Sequence, residues 1–337
     1  MKDSLKNILR WVIISALIIA VYFWKKTLIL DAFTQMKTMK FWVIATCFIL
    51  SVLYIVFDGI ATQILSGVSA WNGIKSAAFC AFYKLVTLGS AAGVAEVVYL
   101  SRCGVKAEKA TGIMMIQYGI HKTVVTFLGL ISFIVLFAIG NEQVEKYKIL
   151  VLVGTVVSLL IVAGLMAVAL SEKIAKLTAR IIRWFFKKSP EKSDKLCEKI
   201  FLFNESGRDL SKKKSLLLLT FLTDCAKMTS WYAIPAVIFY GCTGFSVLHS
   251  LMLMSVALLL SGVMIAPAGI GTLEYIFSLL FTPIPASISA AAVILYRFFS
   301  MIVPFFLGIP IVALGVTHLS FTREKDGDGE KVEQFLS

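Results

Sequence analysis

Six apolar runs set the first constraint on this chain. They lie near residues 8–24, 40–66, 107–138, 147–170, 214–240 and 286–315, and each is long enough to cross a bilayer as a helix, which takes roughly 17–25 residues. Within lipid, every backbone N–H and C=O must be satisfied by the protein itself, so these runs point to an all-α, polytopic membrane protein. Composition agrees. Of 337 residues, 58% are hydrophobic and 16% charged, whereas soluble domains are roughly one quarter charged. The first run ends at Lys25 and Lys26 with no small-residue cleavage site, so it reads as a retained span and not a signal peptide.

Two further runs are interrupted, 73–103 at "GSAAG" (Gly89–Gly93) and 246–281 at "APAGIG". Proline and paired glycines at bilayer depth expose backbone groups where no water can reach them. Two topologies are open. If both runs are re-entrant hairpins, about six full spans remain. Both termini then share the side of the polar linker at 171–213, the 89–93 break is entered from that side, and the 266–271 break is entered from the other. If both runs cross fully, the termini fall opposite the linker together with Lys2, Lys6 and Arg10. We adopt the re-entrant count, which leaves Lys25, Lys26, Lys37 and Lys40 outside.

Charge fixes the orientation. The chain carries a net +13, and the basic residues cluster in loops beside apolar spans. That is the positive-inside pattern and not a nucleic-acid footprint. The linker with adjoining Lys214 holds thirteen Lys/Arg against six Asp/Glu, so it is expected to be cytoplasmic, as are both termini. The organisation that follows is a first membrane half (1–170), a basic linker (171–213), a second membrane half (214–319) and a short disordered tail (320–337). In "KIAKLTARIIRWFFKK", Lys173, Lys176, Arg180, Arg183 and Lys187 form one helical stripe, and Ile174, Leu177, Ile181 and Trp184 form its neighbour. This reads either as an interfacial helix on an anionic inner leaflet or as an extension of the preceding span.

The re-entrant count also predicts an inverted repeat. At an offset of 178, Gly93 matches Gly271, Glu96 matches Glu274, Tyr118 matches Tyr296 and Phe127 matches Phe305. The two G-x-x-E pairs fall at the two breaks. Broken helices meeting at the midplane are a transporter architecture.

The ionisable residues inside the apolar runs are the candidate site. If Gly93 and Gly271 are N-caps, Glu96 and Glu274 sit at N3. Each then caps its own helix end, or the half-helix N-termini and the glutamates together form a polar site for phosphate and ammonium. Arg297 lies deep in the last span, either paired with Glu274 or free to clamp a phosphate. Lys84 reads as a snorkelling residue or a site cation, and His121 as a packing residue or a proton carrier. Asp224 and Lys227, three apart, are expected to neutralise each other, while Asp58 has no local partner. No nucleotide-binding, metalloprotease or serine-hydrolase motif occurs, and three scattered histidines and six unpaired cysteines suggest no metal site, cofactor or disulfide. No catalytic residue is assigned.

The hairpin "PAGIGTLE", the following "AAVILYRFFSMIVPFFLG" and the first-half "GVAEVVYLSRCGVKAEKA" resemble the lysylphosphatidylglycerol synthase transmembrane-domain family, over roughly residues 8–318. The second-half motif is P-x-G-x-G-x-x-E followed by Y-R, which places Pro267, Gly271, Glu274, Tyr296 and Arg297 among the site residues. The first half departs from the family. Gly89 and Ser90 stand in the loop where proline is common, Tyr99 stands where an arginine is common, and Tyr118 and His121 stand where an arginine and an aspartate are often found. The resemblance implies the membrane-embedded, lipid-translocating domain of the multiple peptide resistance factor. That domain carries lysyl-phosphatidylglycerol to the outer leaflet of the bacterial plasma membrane. The lysyltransferase domain is not seen in these residues, so translocation alone is expected, with a separate synthase and a homodimer open as partners. The alternatives are a transferase of the lysyl-lipid type and a translocator of polyprenyl-phosphate-linked substrates. On the first reading Glu96, Glu274 and Arg297 share one cavity. Arg297→Ala should then reduce outer-leaflet aminoacyl lipid in a dye-accessibility assay without reducing its synthesis.

Overall fold

The computed structural model describes residues 30, 34–87, 89, 91–187, 189–263, 271–282 and 284–322, with side chains through 313. The expected first span at 8–24 and residues 323–337 of the tail lie outside the described residues. Everything regular within them is helical. The first half comprises α1 (Phe41–Ser66), α2 (Ala70–Val86), α3 (Ala92–Arg102), α4 (Ala107–Ala138), the short α5 (Glu142–Lys146) and α6 (Lys148–Leu170). The linker folds as α7 (Glu172–Phe185) and α8 (Pro190–Ser211). The second half comprises α9 (Lys214–Thr243), α10 (Val247–Ser261), α11 (Thr272–Leu280), α12 (Ala286–Arg297), a π-helical turn (Phe298–Ile302) and α13 (Val303–Thr322). Among the described residues four helices are long and apolar enough to cross a membrane: Phe41–Ser66, Ala107–Ala138, Lys148–Leu170 and the continuous Ala286–Ala313. At 30 residues α9 is as long, but it carries Asp224 and Lys227.

The corners of the two halves are built alike. Three residues join α1 to α2 (Gly67, Val68, Ser69) and three join α9 to α10 (Gly244, Phe245, Ser246). Gly67 (φ 78°) and Gly244 (φ 70°) take the left-handed conformation that closes a helix C-terminus, and their N–H groups donate to Gln63 O (2.8 Å) and Tyr240 O (3.0 Å). Ser69 and Ser246 then cap the next helix, accepting from Asn72 N and His249 N at 3.3 and 3.5 Å.

The equivalent helices α1 and α9 pack antiparallel. Cys47 Sγ faces Ile234 O (3.8 Å), the Tyr54 and Trp231 rings lie 5.1 Å apart, and Lys227 Nζ donates to Asp58 (3.1 Å). Moving forward along α1 therefore means moving backward along α9. A rotation that exchanges them must lie perpendicular to both, in the plane of the membrane, which is an inverted repeat. The remaining contacts obey the same exchange. The first arm α2 leans on the last helix of the other half, with Phe82 stacked on Phe305 (4.9 Å) and Gly308 against Ala78 and Phe82. Reciprocally, α10 leans on α4, with Leu259 against Gly129.

Both interrupted runs turn back on themselves. Tyr99 and Arg102 of α3 pack on Phe79 of α2, at 5.4 and 5.7 Å. Leu100, Ala110 and Ile113 form a cluster with Leu65 and Val68, so α2 begins and α3 ends on one face of the molecule. That face also holds the linker helices. At the tip, Thr87 Oγ1 donates to Tyr83 O (2.6 Å) and accepts from Ala91 N (3.0 Å), while Gly89 N donates to Lys84 O (2.8 Å). Side chain and turn thus supply what the broken helix withdraws. The arms of the second hairpin meet the opposite face. His249, at the start of α10, accepts from Asn141 Nδ2 (2.6 Å), and Thr282, just past α11, donates to Gln143 (2.6 Å). Its tip, residues 264–270, lies outside the described residues.

The linker is docked. Asn204 Nδ2 donates to the carbonyls of Val168 (2.8 Å) and Ala169 (3.3 Å) at the end of α6. Helix α7 buries Ala175 and Ala179 on α8 and leaves Leu177, Ile181, Trp184 and Phe185 exposed. Lys176 beside Glu172, helped by Arg208, holds that carboxyl below the usual carboxylate range.

Candidate functional site

A cavity of about 420 Å³ opens where the first hairpin, α1, α4, α9 and the π-helical turn converge. Tyr54 and Asp58 reach it from α1, Lys84 from α2, and Gly93 and Glu96 from α3. Gln117, Tyr118 and His121 come from α4 and Lys227 from α9, while Ser300, Met301 and Pro304 close the far wall. Tyr118 stands at the rim, 53% exposed, about 17 Å along α4 from its start. The opening therefore lies on the side of the helix bundle, part-way along a candidate membrane span.

The π-helical turn has a local cause. Pro304 has no N–H to donate one turn back. The ladder slips there, and the Phe299 carbonyl is recovered by the hydroxyl of Ser51 on α1. Such turns are frequent at functional sites. Of the two prolines in this span, Pro304 adjoins the irregularity, and Pro310 lies inside α13.

Ion pairs organise the buried charges. Lys227 Nζ lies between Asp58 Oδ1 (3.1 Å) and Asp224 Oδ1, three residues earlier on its own helix. Asp224 Oδ2 is 3.4 Å from His121 Nδ1, and Gln117 Nε2 donates to Asp58 Oδ1 (3.3 Å). The expected Asp224–Lys227 pair is present. Asp58, which has no local partner in sequence, finds one 169 positions away. Among the described residues Lys84 makes no ion pair, and its ammonium lies 5.1 Å over the ring of Trp231. Trp231 in turn stacks on the buried Tyr296 (6.0 Å) and packs at a tilt against Tyr54.

The two G-x-x-E glutamates behave differently. Gly271 (φ 87°) is the N-cap of α11 and Glu274 is at N3. Glu274 Oε2 accepts from Gly271 N (2.7 Å) and Oε1 accepts from Arg297 Nε (2.7 Å). Capping and ion pairing are both realised there. In the first half the N-cap is Ala91 and not Gly93, because the Thr87 hydroxyl catches Ala91 N and the helix starts two residues earlier than the motif suggests. Glu96 is then past the first turn and caps nothing. Its Oε1 is buried without a hydrogen-bond partner.

Of the candidate residues, Lys84, Gly93, Glu96 and His121 line one cavity. Glu274 and Arg297 do not line it among the described residues. They stand paired behind it, and Arg297 Nη1 reaches the cavity wall through Met301 Sδ (3.7 Å). Tyr296 backs the aromatic stack, and Pro267 lies outside the described residues. Sequence reading missed Tyr54, Gln117 and Trp231. The available signal was the charge count, since an isolated aspartate and an isolated lysine in different apolar runs each need a partner at that depth.

No curated protein matches this chain. The family described as "Lysylphosphatidylglycerol synthase TM region" matches residues 7–308, most of the chain's length, so this multi-pass, all-helical membrane protein belongs to that family.

Proposed function

We propose that the chain moves the head group of an aminoacylated phospholipid, of the lysyl-phosphatidylglycerol kind, across the bilayer. One observation carries this reading. A lateral, membrane-depth cavity presents an ammonium without an ion pair (Lys84) and a carboxylate oxygen without a partner (Glu96). Those are the complements of a phosphate and an amino group on one molecule. Arg297, the phosphate ligand suggested by the motif, is engaged by Glu274, which leaves Lys84 as the phosphate partner. The inverted hairpins reach inward from opposite faces, as alternating access requires. The linker face is taken as cytoplasmic, with the exposed row of α7 resting on the anionic leaflet.

The test is leaflet labelling of aminoacyl lipid in cells. Lys84→Ala and Glu96→Gln each remove one charge-assisted contact, about 1.5 kcal/mol or more. Each should lower outer-leaflet lipid roughly tenfold while total lipid stays constant. A wild-type leaflet ratio in both variants would end the proposal. Polyprenyl-phosphate-linked substrates carry no matching amino group. For such a translocator Lys84→Ala would impair transport and Glu96→Gln would not.

A further inference from the structure

We infer that the Asp58–Lys227–Asp224–His121 network is a proton-binding site, and that its proton competes with the ammonium of a cationic head group in the cavity. The competition rests on the lipid reading above; the proton site does not.

The argument starts from charge. The groups that face the network are Tyr54 and Asp58 on α1, Cys80 and Lys84 on α2, Glu96 on α3, Gln117, Tyr118 and His121 on α4, and Asp224, Cys225, Lys227 and Tyr232 on α9. Three carboxylates (58, 96, 224) face two ammonium groups (84, 227). Arg297 and Glu274 pair with each other outside the cavity wall. Lys122 turns away from the network, toward the Tyr118 ring (5.6 Å) and a separate cleft with Thr126 and Ser158. With all three carboxyls ionised and His121 neutral, the site holds one uncompensated negative charge inside the helix bundle, where such a charge is costly. One added positive charge balances it.

The added charge can arrive in two ways. His121 is the network member that lines the cavity, approaches Asp224 and is free to gain a proton, since Lys227 already carries its charge. Its side chain is 28% exposed, against 1% for Asp224 and 4% for Lys227. His121 Nδ1 and both Asp224 oxygens are buried without a hydrogen-bond partner, with Nδ1 3.4 Å from Oδ2, so a proton placed there would be held between imidazole and carboxylate, and the partly exposed His121 ring links that place to the cavity. The other way is a substrate amine beside Glu96. A metal cation is the weaker candidate, because Lys227 already occupies the space between the two aspartates. Proton and amine thus neutralise the same excess charge, and binding one disfavours the other by equal factors. A proton taken up as a cationic lipid leaves, and released as one enters, is the form of exchange by which a proton gradient can drive head-group movement.

The experiment uses full-length protein in weakly buffered detergent with a pH indicator, titrated with lysyl-phosphatidylglycerol and, separately, with phosphatidylglycerol. Binding is read by tryptophan fluorescence. The cationic lipid should release up to about one proton per chain, and the anionic lipid none. Its apparent affinity should fall about tenfold per pH unit on the acid side. His121→Gln, and independently Asp58→Asn, should abolish both the proton release and the pH dependence of the binding that remains. Binding of the cationic lipid with no proton release and a flat pH profile would overturn the inference. Absence of lysyl-lipid binding at any pH would overturn the lipid reading and the competition with it. Acid titration of the lipid-free protein then decides the proton site. His121→Gln taking up one proton fewer than wild type on acidification supports it, and equal uptake overturns it.

Discussion

Lys227→Met should destabilise the folded protein by about 3–5 kcal/mol, the usual consequence of removing one partner from a buried ion pair. The lysine is 4% exposed and is shared by Asp58 and Asp224. Without it two carboxylates face each other between α1 and α9, and the direct polar contacts left to them are Gln117 on Asp58 and His121 beside Asp224. These two helices make the central contact between the halves, so the loss should appear as a lower midpoint of thermal unfolding in detergent and not only as local loosening. The triple variant Asp58→Asn/Asp224→Asn/Lys227→Met removes charge on both sides and should recover most of the stability, because neutral replacement of a whole buried pair is often tolerated. A single variant as stable as wild type would show that the cation is dispensable to the fold.

Gly73→Leu should separate the first hairpin from α1. Gly59 and Gly73 cross backbone to backbone. A Cβ on Gly73 would overlap the Gly59 carbonyl, and a Cβ on Gly59 would overlap the Gly73–Ile74 backbone. In lipid no hydrophobic drive holds helices together, and close approach through small residues is what replaces it. A leucine here costs about 1–3 kcal/mol or more. It also displaces Lys84, which rides on the same helix three turns further on, so the leaflet ratio should fall together with stability. Gly73→Ala should be milder in both. If Gly73→Leu leaves the unfolding midpoint and the leaflet ratio unchanged, the crossing does not position the hairpin.

Much of the architecture could be read from residues alone, because its causes are local. Bilayer thickness turns long apolar runs into spans, and the described helices follow those runs closely. Two breaks rich in glycine could be recognised as hairpins because unsatisfied backbone has few other outlets in lipid. The cap at Glu274 was readable for the same reason, since Gly271 and N3 lie within one turn. Its counterpart was not. The helix containing Glu96 begins at Ala92 because a threonine hydroxyl four residues before Ala91 competes for its N–H, and that frees the glutamate for the cavity.

The grouping of the site followed a different logic. The motif tied Glu96 to Glu274 and Arg297 by repeat symmetry, yet the cavity gathers Glu96 with Lys84, His121 and Lys227. Sequence by itself determined how many apolar segments there are, where they break and which charges are stranded among them, since each follows from what a short stretch of chain does in lipid. Which stranded charges meet was decided only by the tertiary structure. That depends on the antiparallel crossing of α1 and α9, which brings Asp58 against a lysine 169 positions away, and no local property of either run encodes the register of that crossing.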